Sequence, residues 1–208
     1  MKKLLTYSDL NPAKKGLIFE LDNVLYPERD YLLQVYYLFA NFIEFTETVP
    51  TSKELIDFLK TAYENHGASD LFERASEMFG IDKRYKSNFE KLHYTARLPL
   101  KLVLFEPMLA LLQEMVIDRK QIFLVTNGIP EVQLNKIKQV EWNGLEKYLV
   151  VYFADEIKSK PETDVLEHIL GKHQLLRKEL IVIVCSDTDE QFASSAGVDF
   201  IYSNDFGE

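Results

Sequence analysis

Five short apolar runs rich in β-branched or aromatic residues, at 17–19, 122–125, 149–153, 181–184 and 200–202, leave this chain few architectures. Runs of that length and composition predict buried strands. Helical patterns separate the later runs, such as 107–117 and 161–169. Strands alternating with helices predict a parallel sheet covered on both faces, because each crossover lays a helix on one side. The expected class is α/β, with a doubly wound parallel-sheet core.

The interval between the first and second runs breaks the pattern. About 100 residues lie there, whereas a parallel crossover needs only a dozen or more. Helical periodicity runs through them, with Tyr31, Val35, Leu38, Phe39 and Phe42 on one face, as an amphipathic helix requires. Thr51 and Glu54 have capping-box spacing ahead of Leu55, Phe58 and Leu59, so each would satisfy the other's exposed amide. Further helices are expected over 70–79 and 85–94. The aromatic stripe of Tyr31, Tyr36, Tyr37, Phe39, Phe42 and Phe45 reads as core rather than substrate contact. The expected organisation is an α/β core of residues 1–26 and 100–208 and an all-helical insert of 27–99. Tyr26-Pro27 and Leu98-Pro99 are the candidate hinges, since proline biases its predecessor away from helix.

Composition narrows the function by exclusion. A formal net charge of −9 argues against a broad nucleic-acid surface, which needs clustered Lys and Arg. No apolar run approaches the roughly 20 residues that span a bilayer. The opening MKKLLTYSDLNPAKKG lacks the apolar stretch of a secretory signal. Cys185 is the single cysteine, so an internal disulfide is ruled out and a reducing compartment suits the chain. A soluble, cytoplasmic protein is expected, with neither nucleic acid nor membrane as partner.

Ligands of an open parallel sheet bind at the carboxyl ends of its strands. Glu20 and Asp22 follow the first strand, Thr126-Asn127-Gly128 the second, Lys158-Ser159-Lys160-Pro161 the third, and Cys185-Ser186-Asp187-Thr188-Asp189 the fourth. Acids at the end of a buried strand are costly unless paired, hydrogen-bonded or metal-bound. Plainer readings stand beside each segment. Thr-Asn-Gly is a common turn, Asp187-Thr188-Asp189 suits a helix N-terminus, and Cys185 reads as a small buried residue. His66, His93, His168 and His173 lack metal-ligand spacing. The first strand is not followed by the glycine-rich turn of a dinucleotide site.

In order, "ELDNVLYPE", "FLVTNG", "KSKPETDVLEHIL" and "SSAGVDF" resemble the motifs of the haloacid dehalogenase-like superfamily, mostly magnesium-dependent phosphatases and phosphotransferases. The resemblance covers nearly the whole chain. It extends to the insert, which in the family is a helical cap, and it points to the subgroup with phosphoglycolate phosphatase-like and pyrimidine nucleotidase-like enzymes. It implies a Rossmann-like core and a small phosphorylated metabolite as substrate. Catalytic Glu20, Asp22 and Lys160 are implied, with Thr126, Asn127, Gly128 and Lys160 on the phosphate. Magnesium would be held by Glu20, Asp22, Asp187 and Asp189.

Two motifs depart from the family pattern. Glu20 stands where the family has the aspartate that attacks phosphorus, while Asp22 matches the general acid and base. Glutamate moves the carboxylate outward by roughly 1.5 Å, and a misplacement of about 1 Å can cost on the order of 100-fold in rate. In the fourth motif the leading acid falls on Val184 or Cys185, with Asp189 as the second acid and Asp187 as a replacement for the first. Lys158 is an alternative to Lys160. Two readings follow: a weak hydrolase of a small phosphate monoester, or a degenerate relative that binds a metabolite, anion or protein partner without turnover.

Overall fold

The computed structural model describes residues 4–207. Its one sheet contains β1 (Gly16–Phe19), β2 (Gln121–Thr126), β3 (Leu149–Phe153), β4 (Leu180–Val184) and β5 (Asp199–Tyr202), in the order β3-β2-β1-β4-β5. Every pairing is parallel. β1 lies at the centre, with Leu17 opposite Ile122 on one side and Ile181 on the other. Both β1 and β4 are buried throughout, which is why they read as unbroken apolar runs. β1 opens at Gly16, where a side chain would be crowded: a Cβ there would meet Gln121 O and the Phe123 ring at 3.1 Å.

The described residues also form eight α-helices, in chain order α1 (Glu28–Glu47), α2 (Ser52–His66), α3 (Leu71–Phe79), α4 (Lys86–Thr95), α5 (Glu106–Ile117), α6 (Pro130–Gln139), α7 (Asp164–His173) and α8 (Asp187–Ser195). Side chains alternate across a strand, so Ile18, Phe123, Val125, Val182 and Val184 share one face. There they pack with Val165, Leu166 and Ile169 of α7 and Phe192 and Ala193 of α8. α7 begins three residues later than periodicity predicts, since residues 161–163 are taken up by a turn in which Glu162 N–H donates to Ser159 O. α6 has a legible start, Pro130 at the first helical position, where its missing N–H costs nothing.

The chain forms two compact units, Met1–Pro27 with Leu102–Glu208, and Glu28–Lys101. The second is wholly helical. Its core is aromatic: Phe39 is fully buried and meets Phe72 and Phe89 edge-on at 6.0 and 4.9 Å, while Tyr36 stacks on Phe89. Thr51 caps α2 by accepting from Glu54 N–H, and the Glu54 carboxylate accepts from Thr51 N–H at 3.0 Å. Only part of the expected aromatic stripe is core. Tyr31, Tyr36 and Phe39 are buried, but Tyr37 and Phe45 are exposed because a helix turns them off the packed face.

Among the described residues no helix is long and apolar enough to cross a membrane.

Candidate functional site

The carboxyl edge of the sheet gathers five charged side chains within the α/β unit. Glu20 follows directly on β1, Lys160 lies in the loop after β3, and Asp189 sits in the first turn of α8. The Lys160 ammonium donates to both Glu20 Oε2 and Asp189 Oδ1, and its side chain is 4% exposed. One cation thus serves two acids. Burial pushes the Glu20 carboxyl above the usual carboxylate range, and the charge and hydrogen bond of Lys160 offset this only in part. Burial pulls the Lys160 ammonium down, but the charges of Glu20 and Asp189 outweigh it and hold it above the ordinary lysine value. Both directions follow from one positive charge shared by two negative ones in a desolvated place.

The loops that carry these groups are tied together. Asn127 donates from Nδ2 to Lys160 O at 3.0 Å and accepts from Lys160 N–H at 2.9 Å. Gly128 takes a φ of 105°, a conformation that favours glycine, and its N–H donates to Asp155 Oδ1 at 3.2 Å. Asn127 and Gly128 therefore brace the loop at the strand ends. Thr126 is fully buried, and its hydroxyl accepts from Gln133 Nε2 at 2.6 Å.

Asp22 forms a second cluster beside the first. Its Oδ1 accepts from Tyr26 OH at 2.7 Å, and its Oδ2 from Lys136 Nζ at 2.6 Å and Gln133 Nε2 at 3.2 Å. Gln133 and Lys136 escaped the sequence reading. They lie three residues apart on α6, the spacing that puts two side chains on one helix face, and both are buried. The available signal was Pro130 opening a helix just past the Thr-Asn-Gly turn.

Asp187 and Lys158 stay outside this assembly. Asp187 is exposed at the start of α8, and Lys158 is exposed beside Glu162 and Asp164 at 3.7 and 3.5 Å. The residue that caps α8 is Ser186, which accepts from Asp189 N–H and donates to Asp189 Oδ2 at 2.8 Å. Cys185 corrects an expectation: it is exposed, not buried, because the chain leaves the sheet at Val184. Its sulfur nonetheless lies 3.8 Å from both Asp22 O and Asp189 Oδ2. Although the residue as a whole is exposed, its sulfur is partly desolvated; that and the charges of Asp189 and Glu20 push the thiol up to about 12, so it stays protonated near neutrality.

The family description "haloacid dehalogenase-like hydrolase" matches residues 17–203, nearly the entire chain. The chain belongs to this family. No curated protein matches the haloacid dehalogenase-like chain. Solved structures share its fold. A candidate β-phosphoglucomutase from Thermotoga maritima superposes with a TM-score of 0.62 at 20% identity, covering 88% of this chain and 82% of that one. A candidate HAD-hydrolase from Bacillus subtilis, solved bound to magnesium, gives 0.58 at 16% identity over 92% and 87%. A HAD family hydrolase from Deinococcus radiodurans R1, with bound phosphate and sodium, gives 0.56 at 14% over 92% and 81%.

In this haloacid dehalogenase-like protein the carboxylates already have partners within the chain. Every oxygen of Glu20, Asp22 and Asp189 accepts a protein hydrogen bond. Leu21 N–H donates to Glu20 Oε1 at 2.8 Å, and Lys160, Tyr26, Lys136 and Ser186 supply the other oxygens. Among the described residues no group of three or more His, Cys, Asp or Glu side chains is arranged to hold a metal ion. Magnesium demands near-octahedral oxygen ligands at about 2.0–2.1 Å. The carboxylates at this edge do not fit it as they stand.

Proposed function

We propose that this haloacid dehalogenase-like protein receives a small phosphate monoester at the sheet edge and hydrolyses it slowly at most. The observation that carries the reading is the posture of Glu20. Its Oε1 folds back onto the amide of its own neighbour and its Oε2 is held by Lys160, so neither oxygen is free of a protein donor at the position where the family's nucleophile stands. A carboxylate must approach phosphorus in line for covalent catalysis. Asp22 keeps the acid and base position, with Tyr26, Gln133 and Lys136 fixing its orientation. Phosphate in the Deinococcus relative supports a phosphoryl ligand, for which Thr126 and Lys160 are the candidate contacts. The partner would be a small phosphorylated metabolite, and the single thiol suits the cytoplasm.

A panel of phosphate esters tests this with wild type, Glu20→Asp and Asp22→Asn. Wild type should turn over far below the usual enzyme range of about 1–1,000 s⁻¹. Glu20→Asp should raise the rate by roughly 10–100-fold, and Asp22→Asn should abolish it. Wild-type rates inside the usual range would refute the reading. Binding without any turnover is the second reading, favoured by the bracing roles of Asn127 and Gly128. It predicts saturable ester binding in calorimetry with no rate in any of the three proteins.

A further inference from the structure

The charge balance of the site leads beyond the hydrolysis reading, and it holds whether or not the pocket turns a substrate over. Glu20, Asp22, Asp189, Lys136 and Lys160 have side chains 12, 15, 4, 6 and 4% exposed. Charges so far from water persist only when compensated nearby. Lys136 compensates Asp22 from α6, and Lys160 compensates Glu20 and Asp189 from the loop after β3. The cluster is one positive charge short of balance, far less than three unpaired carboxylates would be.

We propose that this site takes no magnesium: Lys136 and Lys160 supply the compensating charge from within the chain, and Cys185 fills the place where a further carboxylate would recruit the ion. The Cys185 sulfur lies 3.8 Å from Asp22 O and 3.8 Å from Asp189 Oδ2, between the first motif and the acid of α8. A soft sulfur there offers little to a hard cation that selects oxygen. An arriving divalent ion would compete with Lys136 for Asp22, or with Lys160 for Glu20 and Asp189. Each exchange leaves a buried ammonium with less compensation and a cation only partly dehydrated.

The direct test is calorimetric titration of magnesium chloride into the chelator-treated full-length protein, with thermal melting in magnesium and in EDTA alongside. No saturable heat is expected, and the two melting midpoints should coincide. An ion present at about 100 times its dissociation constant would separate them by several degrees. The same titration on Lys136→Met combined with Cys185→Asp, checked for native circular dichroism, should show saturable binding, because it removes the cation paired with Asp22 and adds the missing carboxylate.

Saturable magnesium binding by wild type would overturn the proposal. So would failure of the folded double variant to bind, since the lysine and the thiol would then not be what excludes the ion. Where the double variant does not fold, the wild-type titration decides alone. Neither result depends on ester turnover, so this proposal and the hydrolysis reading fail separately.

Discussion

At Glu20 two demands meet: the chain leaves a fully buried strand there, and a carboxylate begins. Lys160 is the cation that makes the position tolerable, with help from the Leu21 amide, and it also serves Asp189. Replacing Lys160 by Met would leave both acids buried without their cation, a change worth about 3–5 kcal/mol in lost stability, measurable by urea denaturation. Glu20 has its own pH signature. Its folded-state pKa is raised, so the native state holds that proton more tightly than the unfolded chain does. Its contribution to stability therefore falls as pH climbs from the ordinary glutamate range toward the raised value. The stability difference between wild type and Glu20→Gln should shift against wild type from about pH 4 upward; a flat difference would contradict it. Glu20, Asp22, Thr126, Lys160 and Asp189 were legible because each follows a recognisable strand. Lys136 and Gln133 were not, because polar residues on a helix ordinarily face water, and only the fold turns these two inward to Asp22.

Helices show the same division between pattern and context. Periodicity located α1, but it did not separate Phe39, fully buried among Phe72 and Phe89, from Phe45, 92% exposed. Phe39→Ala should cost about 3–5 kcal/mol through the cavity it leaves. Phe45→Ala should stay within about 0.5 kcal/mol, both read from denaturation midpoints. The Thr51-Glu54 box was readable in full, because capping is chemistry between residues three apart. Thr51→Ala should lower stability by about 1 kcal/mol. The start of α7 was misplaced because the turn at Ser159–Glu162 is fixed in a loop whose Lys160 backbone is gripped by Asn127, a partner 33 residues away.

For the molecule as a whole, five apolar runs were enough to give a parallel sheet, since few other arrangements bury so many strands on two faces. The order of the strands was not readable, because periodicity says which segments pair without saying with whom. The division into two compact units makes a further expectation concrete. Hydrogen exchange on Phe39→Ala should show lost protection within 28–101, while amides of β1 and β4 keep theirs; uniform loss across both units would show a single cooperative body. The topology also sets a timetable for synthesis. β1, at the middle of the sheet, emerges from the ribosome long before either neighbour: β2 starts at Gln121 and β4 at Leu180. While the roughly 100 residues between β1 and β2 are made, the nascent chain carries an apolar strand with no companion, the condition under which growing polypeptides aggregate or recruit chaperones.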